Sequence, residues 1–177
     1  MSPATKRAKS ETVTLRIDPK TKFMLDFMVR IQGRSITALV ELAIREAADN
    51  AGIMDVYGNE KNWTQFWDAN EGVRTLNLLA EPKYPTTFEE DEILLFARAN
   101  WEFFYTSAKS STVRRAYAEI LWPKIGEYLQ IWREKRSADY WAAGRAMERD
   151  LSVAKLAAPV WPRGSKNDAS LDDEIPF

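Results

Sequence analysis

In the stretch ETVTLRIDP, Thr12, Thr14 and Arg16 fall at every second position. In an extended strand that spacing puts two hydroxyls and a guanidinium on one face, a set of donors and acceptors suited to a planar polar edge. A guanidinium bonds a guanine edge through two N–H groups, and threonine offers a base its hydroxyl or its methyl. Lys6, Arg7 and Lys9 add positive charge just before this segment, and Arg34 and Ser35 follow at the start of a later helix. Two further groups have chemistry in them. One is the acidic and apolar run Asp172, Asp173, Glu174, Ile175, Pro176 and Phe177, where a ring and a carboxylate share one residue. The other is the trio Trp122, Trp132 and Trp141, interleaved with Arg114, Arg115, Arg133, Lys135 and Arg136.

Composition removes other chemistries. The 177-residue chain contains neither cysteine nor histidine, which excludes disulfides, thiolate or imidazole metal ligands and every nucleophile–histidine pair. No cofactor and no metal site is expected. Glu89, Glu90, Asp91 and Glu92 are consecutive and point around a helix rather than at one ion, so they read as a helix start. No uncharged run approaches the ~20 apolar residues that span a bilayer, and no apolar stretch follows the basic start as in a signal peptide. A cytoplasmic, nucleoid-associated protein without membrane contact is the expectation. The net charge of −1 conceals an asymmetry: residues 1–50 hold nine Lys/Arg against six Asp/Glu, and the remainder sixteen against twenty. Contact with a polyanion is therefore expected in the first fifty residues.

The elements that must position these groups follow from periodicity. Val13, Leu15 and Ile17 form the apolar face of the strand that carries Thr12, Thr14 and Arg16. Asp18 and Pro19 then open a helix, Phe23, Phe27 and Ile31 give it an apolar stripe widened by Leu25, Met28 and Val29, and Gly33 closes it. Ser35 caps a second helix with Ile36, Leu39, Val40, Ala43, Ile44 and Ala47 at core spacing. A lone strand leaves its backbone groups unpaired, and pairing with a second copy satisfies them. The order of one strand and two helices, with the alternating TVTLRIDP and the turn GRSI, resembles the ribbon-helix-helix family of Arc-type and MetJ-type repressors over about residues 10–50. The resemblance implies a dimer whose two-stranded ribbon enters the major groove, with Thr12, Thr14 and Arg16 facing base edges and Ser35 with nearby amides holding a backbone phosphate. There is one departure. Some Arc-type repressors bury an ion-pair cluster at the positions of Leu39 and Ala43, and apolar packing can replace such clusters.

From about residue 55 to 156 the pattern is helical and rich in tryptophan. Residues 62–70 read as a short helix with Trp63, Phe66 and Trp67 on one side. Thr87 and Glu90 have capping-box spacing ahead of a stripe of Ile93, Ala97, Trp101, Phe104 and Tyr105. A run from about Ser111 should break or kink at Pro123 and resume through Ile125, Leu129 and Trp132, and a last helix spans about Ser137 to Val153. Helical spacing makes core packing the default for the indoles. The alternative makes Trp122, Trp132 and Trp141 a base-stacking platform for a single strand.

From Ala157 onward, three prolines and scattered polar residues predict disorder. The last six residues, DDEIPF, are similar to the acidic tip of bacterial single-stranded DNA-binding proteins, and an Ile-Pro-Phe end arises by chance on the order of once in ten thousand chains. The resemblance implies docking to exonuclease, helicase and primase-associated proteins. Nothing in the chain reads as the β-barrel body of that family.

The organisation expected is thus mainly α: a flexible basic arm at 1–10, a βαα dimerisation unit at 11–50, a helical domain at 55–156 and a disordered acidic tail at 157–177. The expected function is non-enzymatic: a homodimer or higher assembly binding duplex DNA, with a tail that recruits replication, recombination or repair proteins. The alternatives are a single-stranded DNA-binding protein on a different scaffold, and an autoregulatory repressor or antitoxin.

Overall fold

Capping chemistry punctuates the first part of the chain. The computed structural model describes residues 12–55 and 57–162. Helix α1 spans Pro19–Gln32, and the Asp18 carboxylate accepts from the Lys20 and Thr21 amides at 2.9 and 3.1 Å. Gly33 closes it with φ 62°, a conformation that only glycine adopts without strain. Helix α2 spans Ile36–Asp49, and Ser35 Oγ accepts from the Ala38 amide at 3.1 Å. These caps lie where the sequence puts them.

The strand expected over 12–17 is not formed. Residues 12–18 have no regular secondary structure and are exposed, because a single chain offers this segment no second strand to bond. The two helices of the expected βαα unit are present without their ribbon. The chain forms two compact units, Met1–Ala48 and Asp49–Phe177.

The second unit is mainly helical, with one small sheet. Strands β1 (Gly52–Met54) and β2 (Glu60–Asn62) pair antiparallel with Ile53 opposite Lys61. Asp55 turns the hairpin by accepting from the Tyr57 and Asn59 amides at 2.8 and 2.9 Å. Trp63–Gln65 forms a 3-10 turn rather than the longer helix expected over 62–70. Helix α3 (Glu71–Leu79), capped by Asn70, was not expected, although it buries Val73, Leu76 and Leu79.

Helix α4 spans Phe88–Ala99 and carries the complete capping box: Thr87 Oγ1 accepts from the Glu90 amide, and Glu90 Oε2 from the Thr87 amide at 2.8 Å. The expected continuation to Tyr105 is interrupted at Asn100. This buried amide side chain donates to the Phe96 carbonyl at 3.0 Å, the backbone turns out of the helix, and a separate turn α5 (Trp101–Phe104) follows. The next run begins at Arg115 rather than Ser111: α6 (Arg115–Leu121) gives way at Pro123 to a 3-10 turn and then to α7 (Ile125–Lys135). Helix α8 spans Ala142–Val153, starting later than Ser137, because the Ala142 amide closes a turn onto the Asp139 carbonyl.

α6 packs against α3, α5 and α8, and α7 packs against α8 and α4. At the centre lie Leu76, Phe96, Phe103, Phe104, Tyr105 and Met147, all fully buried. The Tyr105 hydroxyl donates to the Leu76 carbonyl at 3.2 Å, and the Arg98 guanidinium sits 4.4 Å from its ring centroid. Burial pushes this phenol up to about 12.

Residues 157–162 correct the expectation of disorder from Ala157. Trp161 is buried against Phe103 and Trp141, with ring centroids at 5.2 and 6.0 Å, because an indole gains more from this aromatic wall than the short segment loses in chain entropy. Among the described residues, no helix is long and apolar enough to cross a membrane.

Candidate nucleic-acid interface

The first unit presents its apolar residues to solvent. Val13 and Leu15 are 77% and 69% exposed, and Ile17 is 45% exposed, so both faces of the alternating segment are free. On α1, Phe23, Phe27 and Ile31 recur at helical spacing and are exposed, with Phe23 stacked on Phe27 at 6.5 Å. On α2, Ile36 and Ile44 are exposed, and Leu39 is the one residue that either helix buries. Burying a large apolar side chain is worth about 1.5–3 kcal/mol, so this surface has a strong tendency to be covered.

Thr12, Thr14 and Arg16 lie in the exposed, irregular segment before α1, and Arg34 and Ser35 lie in the exposed turn before α2. Ser35 Oγ accepts from the Ala38 amide, which leaves its own O–H as a donor beside the start of α2. Asp18, at the other cap, has its carboxyl held below the ordinary value by the hydroxyl and amide of Thr21. Lys22 is paired with Asp26 at 2.5 Å. Lys6, Arg7 and Lys9 lie outside the described residues, as do Asp172, Asp173, Glu174, Ile175, Pro176 and Phe177.

The three indoles considered for base stacking pack into the helical unit instead. Trp132 is only 8% exposed, meets Phe96 edge to face at 5.8 Å and carries the Arg136 guanidinium 4.5 Å from its centroid. Trp122 is half-buried over Gly72, where a β-carbon would collide with its ring. Trp141 is half-buried between Tyr140 and Trp161. Helical spacing had made core packing their default, and it prevails. The exposed indoles are Trp63 and Trp67, which sequence reading grouped with Phe66 without assigning them a site. Both are held in place: Trp63 Nε1 donates to Asp49 Oδ1 at 2.8 Å, and Arg74 lies 5.4 Å from the Trp67 centroid. No sequence signal separates them from the indoles packed into the helical unit, since Trp101, Trp132 and Trp141 also sit in aromatic runs read as helical.

The basic residues interleaved with the indoles are largely committed. Arg115 bridges to Asp68 and Glu119, and Arg133 to Glu92. Arg133 holds the Glu92 carboxyl below its ordinary value, and the Asn70 amide does the same for Asp68, with Arg115 adding to it. Among the described residues, no group of three or more acidic side chains is arranged to hold a metal ion. No protein-family model matches the chain, and neither the curated proteins nor the solved structures compared with it contain a match.

Proposed function

We propose that this chain is a non-enzymatic DNA-binding protein that acts as a dimer. Residues 12–17 of two copies pair as an antiparallel ribbon, Val13, Leu15 and Ile17 turn inward, and Thr12, Thr14 and Arg16 turn toward base edges in the major groove of duplex DNA. The observation that carries this reading is the unpartnered apolar surface of the first unit: alternating exposed residues in the irregular segment before α1, followed by exposed apolar residues on both helices. Lys6, Arg7, Lys9 and Arg34 would supply phosphate contacts. The tip Asp172–Phe177 recruits proteins that bind the acidic tails of single-stranded DNA-binding proteins, its ring entering an apolar pocket and its carboxylates meeting basic side chains. A cytoplasmic, nucleoid-associated location follows from this role.

A second reading, single-strand binding, is favoured by the two exposed indoles Trp63 and Trp67 with Arg74 over the latter. Anisotropy titrations of labelled duplex and oligo-dT at two salt concentrations separate the two. Duplex preference that falls about 10–100-fold with Arg16→Ala supports the ribbon. Preference for oligo-dT that ignores Arg16→Ala and falls with Trp67→Ala overturns it. Deleting Phe177 should abolish capture by an immobilised tail-binding exonuclease, and unchanged capture defeats the recruiting role.

A further inference from the structure

After α8 the chain reverses direction. Lys155 adopts the left-handed conformation at φ 60°, and the Leu156 amide donates to the Leu151 carbonyl at 2.9 Å. The segment that follows returns over α6 and α8. The Tyr117 hydroxyl of α6 donates to the Ala157 carbonyl at 2.8 Å, and the Trp161 ring lies on α8 at Gly144, where a β-carbon would collide with it. Between these two points the attachment is thin. Among the described residues, no backbone–backbone hydrogen bond involves residues 157–162, Val160 is fully exposed, and Pro159 and Pro162 have no amide to donate. The Trp161 ring is well packed, yet its Nε1 is buried without an acceptor, and so is that of Trp141 beside it. An orphaned donor offsets part of what burying the ring gains.

A segment held by one ring and one hydrogen bond, at a site that leaves two indole donors unsatisfied, is suited to reversible release. We propose that residues 157–162 form a releasable strap, and that the slot over Gly144, walled by Phe103 and Trp141, is a binding site for an aromatic side chain that Trp161 plugs. The slot takes an indole because glycine removes the β-carbon from its floor and both walls meet the ring edge to face. For the acidic tip the consequence is one of reach, and this part rests on the recruiting role proposed above. With Trp161 seated, fifteen residues separate Pro162 from the end of the sequence; with the strap released, twenty-one follow Leu156. At ~3.3–3.6 Å per residue the greatest possible span rises from about 50 to about 70 Å.

The test uses the full chain labelled with 5-fluorotryptophan, with the Trp161 resonance assigned from Trp161→Phe. Saturation transfer should connect a major, buried Trp161 signal to a minor, solvent-exposed one. Gly144→Ala should raise the minor population at least tenfold while helical circular dichroism is kept. Free indole should shift the Trp141 resonance of Trp161→Ala and leave that of the unsubstituted protein unmoved. A single Trp161 signal that neither exchanges nor responds to Gly144→Ala makes Trp161 a fixed part of the core and overturns the strap. If Gly144→Ala loses its helices, indole binding to Trp161→Ala decides the matter, and absence of binding overturns the slot. Deleting Phe177 should leave the exchange unchanged, so capture that survives this deletion while Trp161 still exchanges counts against the recruiting role alone, and Phe177-dependent capture without Trp161 exchange counts against the strap alone.

Discussion

Replacing Leu15 by alanine removes an apolar side chain that is 69% exposed in the single chain and inward-facing in the proposed ribbon. Full burial of a leucine is worth about 1.5–3 kcal/mol, so covering that exposed fraction contributes about 1–2 kcal/mol in each copy. A symmetric dimer loses the contribution twice, about 2–4 kcal/mol, which weakens dimerisation by roughly 30- to 1000-fold. Sedimentation equilibrium over a wide concentration range measures this directly. Leu95→Ala is the control, because Leu95 is 63% exposed on α4 and belongs to the other unit. The expected result is a dimer for the unsubstituted chain and for Leu95→Ala, and a monomer–dimer equilibrium moved to much higher concentration for Leu15→Ala. A monomeric unsubstituted chain, or equal shifts in the two variants, would refute the reasoning from exposed alternation to ribbon pairing.

Three further outcomes are expected. Thr87→Ala breaks the capping box of α4 and should cost about 1 kcal/mol, lowering the melting temperature of the helical unit by about 3–5 °C in circular dichroism. Acid should destabilise that unit through Asp150, whose carboxyl is held low by the Tyr128 hydroxyl and Lys124, and through Glu92 and Asp68. Their folded pKa values lie below the unfolded ones, so the stabilisation is complete above about pH 5 and is lost as pH falls through the folded values. Half-buried Glu102 acts in the opposite sense, because burial raises its pKa. Urea midpoints from pH 7 to pH 2.5 should fall on the acid side, and Asp150→Asn should flatten that fall. Tyr105→Phe should cost about 0.5–1.5 kcal/mol by removing one buried hydrogen bond to the Leu76 carbonyl, which keeps the Ala80 amide as a donor, read as a lower urea midpoint at unchanged slope.

Local signals were the legible part of this fold. Asp18 with Pro19, Gly33, Ser35, the Thr87–Glu90 pair and Pro123 each act through bonds or sterics within a few residues, and each marks its boundary in the structure. Features that depend on distant partners were not legible. Whether residues 12–17 form a strand turns on a chain that the sequence does not contain. The break at Asn100 depends on its amide being buried over Phe96, and an asparagine within an apolar run gives no warning of that. The hairpin has three residues per strand, too few for alternation to register, and α3 was passed over between two aromatic segments despite Asn70 and the spacing of Val73, Leu76 and Leu79. Of the candidate site, the turn at Gly33 to Ser35 was readable from type and spacing, whereas the strand expected over 12–17 does not form in the single chain. Which indoles stay exposed was not readable, because burial is decided by packing between helices far apart in sequence.

All seven tryptophans lie from Trp63 onward, in the second of the two units, and the first has none. Indole emission during heating or denaturation therefore reports on the helical unit alone, while helical ellipticity sums over both. Two probes that disagree would here signal independent melting of two units rather than a partly folded intermediate, and any single stability quoted from fluorescence would omit the unit proposed to meet DNA.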